Sequence, residues 1–73
     1  MNIIVYGFKS SNILNFFYQS DEKKLSIMFV GGREYIYSDV PLDAVLRFIS
    51  AESKGKFFAN NIKGSFKFEK GSE

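Results

Sequence analysis

Seventy-three residues suffice for one small domain. An apolar fraction of 45% with nine Phe and four Tyr excludes a disordered chain, and the absence of Cys and His removes disulfides, thiolate metal sites and the commonest general base. The net charge of +2 is too slight to name a partner, but it is unevenly spread: residues 54–70 carry five lysines against one glutamate. Ile3 to Tyr6 is β-branched or aromatic and stops at Gly7, which predicts a first short strand. Ser10-Ser11-Asn12 is turn-prone, Ile13 to Gln19 reads as a second strand, and Ser20 to Lys23 is a polar turn. Leu25, Ile27 and Phe29 alternate with Ser26 and Met28, a period of two that predicts a third strand. Gly31-Gly32 supplies a hairpin turn, and Arg33 to Ser38 the return strand.

Val40-Pro41 marks the next boundary, with Pro41 suited to a first helical turn. Asp39 is the expected cap from just upstream, and Asp43 complements the positive end of the helix dipole. Leu42, Val45, Leu46 and Ile49 follow i, i+3, i+4, i+7 and predict the buried stripe, with Phe48 about 100° off its axis. Gly55 is the predicted helix stop, leaving Lys54 and Lys56 at the negative helix end. Phe57 to Ile62 is a second, shorter helix. Phe66 and Phe68 alternate with Lys67 and Glu69 in a closing strand, and Gly71-Ser72-Glu73 is a frayed tail. The expected architecture is α+β: an antiparallel sheet of about four to five strands with one main helix and a second short helix packed on one face. No apolar run approaches the roughly 18 residues that span a bilayer. Met1 to Phe8 reads as a strand rather than a signal peptide, and the expected compartment is a reducing cytoplasm.

Tyr35 and Tyr37 lie two apart on a strand and share a face. A two-residue Gly31-Gly32 loop turns them away from the Leu25/Ile27/Phe29 face; a three-residue loop that includes Arg33 turns them onto it. They are core residues in one case and a stacking platform in the other. Lys54, Lys56, Lys63, Lys67 and Lys70, interleaved with Phe57, Phe58, Phe66 and Phe68, form the main candidate contact segment. Ser53-Lys54-Gly55-Lys56 lacks the upstream Gly and the Gly-Lys-Ser/Thr ending of a phosphate-binding loop. Without His, no serine has an evident base. The expectation is a binding protein with no catalytic residue, metal or cofactor.

Several fragments in order, namely Ser10-Ser11-Asn12-Ile13, Leu25 to Phe29, Tyr35-Ile36-Tyr37, Asp39-Val40-Pro41, Ala51 to Phe58 and Ile62-Lys63-Gly64, resemble the KTSC domain family. That module occurs alone and at the C-terminus of some lysyl-tRNA synthetases. The resemblance implies a KTSC-like domain over residues 10–70, preceded by an extra strand in residues 1–9 and followed by the tail 71–73. RNA binding is the role usually suggested for the family, which makes tRNA or single-stranded RNA one expected partner. Phe66 stands where the family pattern has Tyr, and Phe57-Phe58-Ala59 replaces Tyr-Phe-Asn. These departures make the basic segment more apolar and favour a protein partner as the leading expectation. In length and in its Asn- and Lys-rich style the chain is also similar to small phage regulators, which makes RNA polymerase the concrete form of that partner and the host cytoplasm the compartment.

Overall fold

The structure, a computed structural model, describes residues 1–72. Five strands form one antiparallel meander in the order β1-β2-β3-β4-β5: β1 (Asn2–Val5), β2 (Ile13–Gln19), β3 (Lys24–Phe29), β4 (Glu34–Tyr37) and β5 (Phe68–Ser72). Between β4 and β5 come α1 (Leu42–Ser50) and α2 (Lys54–Phe57), the second running into a π-helical turn over Phe58–Ile62. The fold is α+β, as the alternating and helical periodicities require. The register aligns Ile3, Tyr18, Leu25, Tyr37 and Phe68 in one row, and Val5, Phe16, Ile27, Tyr35 and Lys70 in the next. Directly opposed residues share a face. This is the face the helices cover, where Phe16, Tyr18, Leu25, Ile27 and Tyr37 are each no more than 1% exposed. On the other face Ile4, Phe17, Ser26, Ile36 and Glu69 line up in register, and Ile4 remains 64% exposed.

The tyrosine register follows from the hairpin. Phe29 N–H donates to Arg33 O at 2.8 Å, so the loop is Val30-Gly31-Gly32, with Gly31 and Gly32 at φ 105° and 93°. Ile27 then opposes Tyr35 and Leu25 opposes Tyr37. This pairing is neither of the two expected from the sequence, yet it differs from the three-residue case by two residues. The tyrosines therefore fall on the Leu25/Ile27/Phe29 face. In β2, a bulge between Ile13 and Asn15 absorbs Leu14, which is 54% exposed, and lets both Ile13 and Phe16 reach the core despite their odd spacing.

The buried face of α1 corrects the predicted stripe. Ala44, Val45 and Phe48 are buried and Ile49 is partly so, whereas Leu42 and Leu46 are exposed. The helix is rotated by about 100°, one residue's worth. The cause is aromatic: Phe48 stacks between Phe16 (4.1 Å, 8°) and Phe57 (5.5 Å, 15°), a larger burial than Leu46 offers. Its ends also differ. Pro41 is the N-cap without a side-chain bond, and Asp39 is held at φ 59°, left-handed and too early to cap. Asp43 does occupy the first turn, 3.7 Å from Arg47. The helix stops at Ala51, not Gly55, which lies inside α2 behind the Ser53 cap. The second helix accordingly begins at Lys54 rather than Phe57. Gly71 and Ser72 extend β5 instead of fraying; Glu73 lies outside the described residues.

Candidate functional site

Helices cover the sheet incompletely. At the β4–β5 end, past the π-turn, aromatic side chains of the core face remain open and form a cleft of about 520 Å³. Tyr37 and Phe58 are its buried floor, in edge contact at 5.7 Å, and Phe58 also meets Phe29 edge-on at 5.3 Å. Phe68, 54% exposed on the outermost strand, leans over Tyr35 and Tyr37 with ring centroids 5.1 and 5.3 Å away. Arg33 from the hairpin and Lys63 from the end of the π-turn supply positive charge, and no carboxylate is among the lining residues. Lys70 opposes Tyr35 across the β4–β5 pair and extends the same face. Burial pushes the Tyr37 phenol above its ordinary pKa, and the neighbouring Tyr35 adds a smaller push in the same direction.

A second, more polar cleft of about 310 Å³ adjoins it, and Ser11 and Asn12 line both. Its other walls are Lys9 and Ser10 on one side, Ser53 to Lys56 on the other, again with no carboxylate. The loop between them is held by Ser10 Oγ, which accepts from Asn12 N–H at 3.3 Å and Ile13 N–H at 3.1 Å. Ser11 Oγ donates to Asn12 Oδ1 at 2.6 Å. Lys54 Nζ donates to Ala51 O at 3.0 Å and sits 5.2 Å from the centroid of Phe8, so it secures the end of α1 as a lysine at a negative helix end should.

Of the residues singled out in the sequence, Tyr35, Tyr37, Phe58 and Lys63 meet in the aromatic cleft, and Lys54 and Lys56 in the polar one. Phe57 and Lys67 line neither. Phe57 turns inward to stack on Phe48, and Lys67 is exposed beyond the clefts, its carbonyl accepting from Ser38 N–H at 2.9 Å. Phe58, at 8% exposure, is likewise a wall rather than a protruding anchor. Phe68, named with the contact segment, also lines the aromatic cleft, while sequence reasoning missed Arg33 and the Ser11–Asn12 seam. Arg33 was accessible in principle, since it alternates with Tyr35 and Tyr37 and so shares their face.

Comparison with known proteins agrees with this fold. The KTSC domain matches residues 9–66. A lysine–tRNA ligase of Trichormus variabilis is 38% identical over 61 residues, a match covering 84% of this chain and 11% of the ligase. The crystal structure of a KTSC domain protein from Yersinia pestis superposes with a TM-score of 0.85 at 39% identity, covering 96% of this chain and 97% of that one. Among the described residues no helix is long and apolar enough to cross a membrane. The chain belongs to the KTSC domain family.

Proposed function

We propose that the chain is a non-enzymatic module that binds single-stranded RNA, with the aromatic cleft as its contact surface. The observation that carries this reading is the convergence of five aromatic side chains with Arg33 and Lys63, and no carboxylate, in one cleft. Bases stack on aromatic faces irrespective of sequence, and cations at the rim neutralise phosphates. Phe57 stacks inward on Phe48 and Phe58 is 8% exposed, which weighs against either serving as a protruding anchor for a protein partner. Likeness to a segment of a lysine–tRNA ligase, an enzyme whose name includes an RNA, also favours this choice.

The second reading is docking on a protein partner, RNA polymerase being the concrete case, and it is favoured by the uncovered Ile4–Phe17–Ser26–Ile36 row. In either reading the chain works in a cytoplasm, the host's if it is phage-encoded. Fluorescence anisotropy with an unstructured RNA separates the two. RNA binding requires affinity to fall linearly in log salt with a slope of about −2 to −3, at about −0.7 per phosphate contact. Arg33→Ala and Lys63→Ala should each remove about one contact from that slope. Partner capture from lysate that survives nuclease, with no RNA affinity in the purified protein, would replace this reading by the protein one.

A further inference from the structure

The two clefts are contiguous but chemically unlike. The first is walled by rings; the second has no aromatic lining residue and presents Lys9, Lys54 and Lys56 among the hydroxyls of Ser10, Ser11 and Ser53. Neither Lys9 nor Lys56 makes an ion pair among the described residues, and both are exposed. Lys54 is fixed by Ala51 O and Phe8, so it contributes a positioned charge with two of its three donors still available. At the seam, Asn12 Oδ1 is taken by Ser11, whereas Asn12 Nδ2 has no partner among the described residues and faces Gly55. Gly55, lacking a Cβ, keeps the floor open at that point.

Resting on the RNA reading, we propose that the polar cleft is a separate phosphate-binding subsite. The strand crosses the Ser11–Asn12 seam, with a base held among Tyr35, Phe29 and Phe68 and the phosphates of adjoining nucleotides against Lys9 and Lys56. Asn12 Nδ2 donates to the sugar-phosphate oxygens at the crossing. The rings of the aromatic cleft then supply salt-independent affinity, and Lys9 and Lys56 add a share of the salt dependence to that carried by Arg33 and Lys63. A ligand confined to the aromatic cleft would leave Lys9, which is remote in sequence from every aromatic wall, without a role in binding.

The division is testable with a labelled, unstructured ten-nucleotide RNA of mixed sequence, titrated at several salt concentrations. Lys9→Gln with Lys56→Gln should make the log–log slope shallower by about 1.4, two contacts' worth. Phe68→Ala should weaken binding roughly tenfold or more at every salt concentration and leave the slope unchanged. Gly55→Ala adds a Cβ 3.7 Å from Ser10 Oγ and 3.9 Å from Asn12, an ordinary contact that keeps the fold, and should weaken binding with all lysines retained. Lys67→Gln, outside both clefts, should leave the slope as it is. An unaltered slope in the Lys9/Lys56 variant of a protein that binds RNA overturns the subsite alone. A slope lost equally in Lys67→Gln overturns it too. Absence of RNA binding by the unmodified protein overturns the subsite together with the reading beneath it.

Discussion

Tyr18 is 1% exposed, and its hydroxyl donates to Val40 O at 2.6 Å, which ties the middle of the sheet to the segment entering α1. Tyr18→Phe leaves that carbonyl buried without its partner and should cost about 1–3 kcal/mol, read from urea midpoints. Burial raises the pKa of Tyr18, with a smaller contribution from the charge of Asp43, and burial likewise raises that of Tyr37. The unfolded chain releases these protons near pH 10, about the ordinary tyrosine value, while the folded chain retains them. The stability is thus complete below about pH 10 and is lost as pH rises through the folded-state values. Melts taken between neutrality and about pH 11 should show this alkaline fall, and Tyr37→Phe should flatten it. A fall of unchanged steepness in Tyr37→Phe would assign the effect to other groups. Phe48, stacked on both sides, should cost about 3–5 kcal/mol when truncated to Ala. Exposed Leu46 should cost well under that, within about 1 kcal/mol.

The elements themselves carry the next contrast. Gly64 ends the π-turn segment at φ 83°, where a Cβ has open space but an unfavourable backbone; Gly55 lies in α2 with no such demand. Gly64→Ala should therefore destabilise by about 1 kcal/mol, whereas Gly55→Ala should be neutral or gain up to about 1 kcal/mol from helix propensity. Thermal melts ranking them the other way would displace the boundary of α2. This ranking reverses what the sequence suggests, because a glycine after a helical stripe reads as a stop whether or not a new helix begins there. The strand alternation at Leu25, Ile27 and Phe29 was legible, since a period of two admits one inward face. The face of α1 was not, because Leu42/Val45/Leu46/Ile49 and Ala44/Val45/Phe48 both satisfy helical spacing, and the choice depends on Phe16 and Phe57 elsewhere in the chain. The β2 bulge was equally hidden, since Ile13 and Phe16 sit at a spacing that no regular strand buries on one side. In the clefts, Tyr35, Tyr37, Phe58 and Lys63 were legible by type and position. Their junction with Ser11 and Asn12 exists only after the meander has folded.

For the whole molecule, the two sheet faces divide the surface. The clefts open on the helix-bearing side, and the Ile4–Phe17–Ser26–Ile36 row lies on the other. Ile4→Lys should leave RNA affinity within about twofold, since distant sites act independently; a tenfold loss in the same anisotropy assay would bring the ligand across to that side. The meander has one more consequence, for how this protein is handled and joined to others. Because strand order follows chain order, β1 and β5 are opposite borders of the sheet, about 19 Å apart at four interstrand spacings. A carrier, surface linker or fluorophore attached ahead of Met1 sits at the border farthest from Phe68, and it displaces the 3.7 Å contact between the terminal amine and Asp21. The same attachment after β5 would hang beside the aromatic opening. Immobilisation through the leading end should thus leave ligand access intact, and immobilisation through the trailing end should obstruct it.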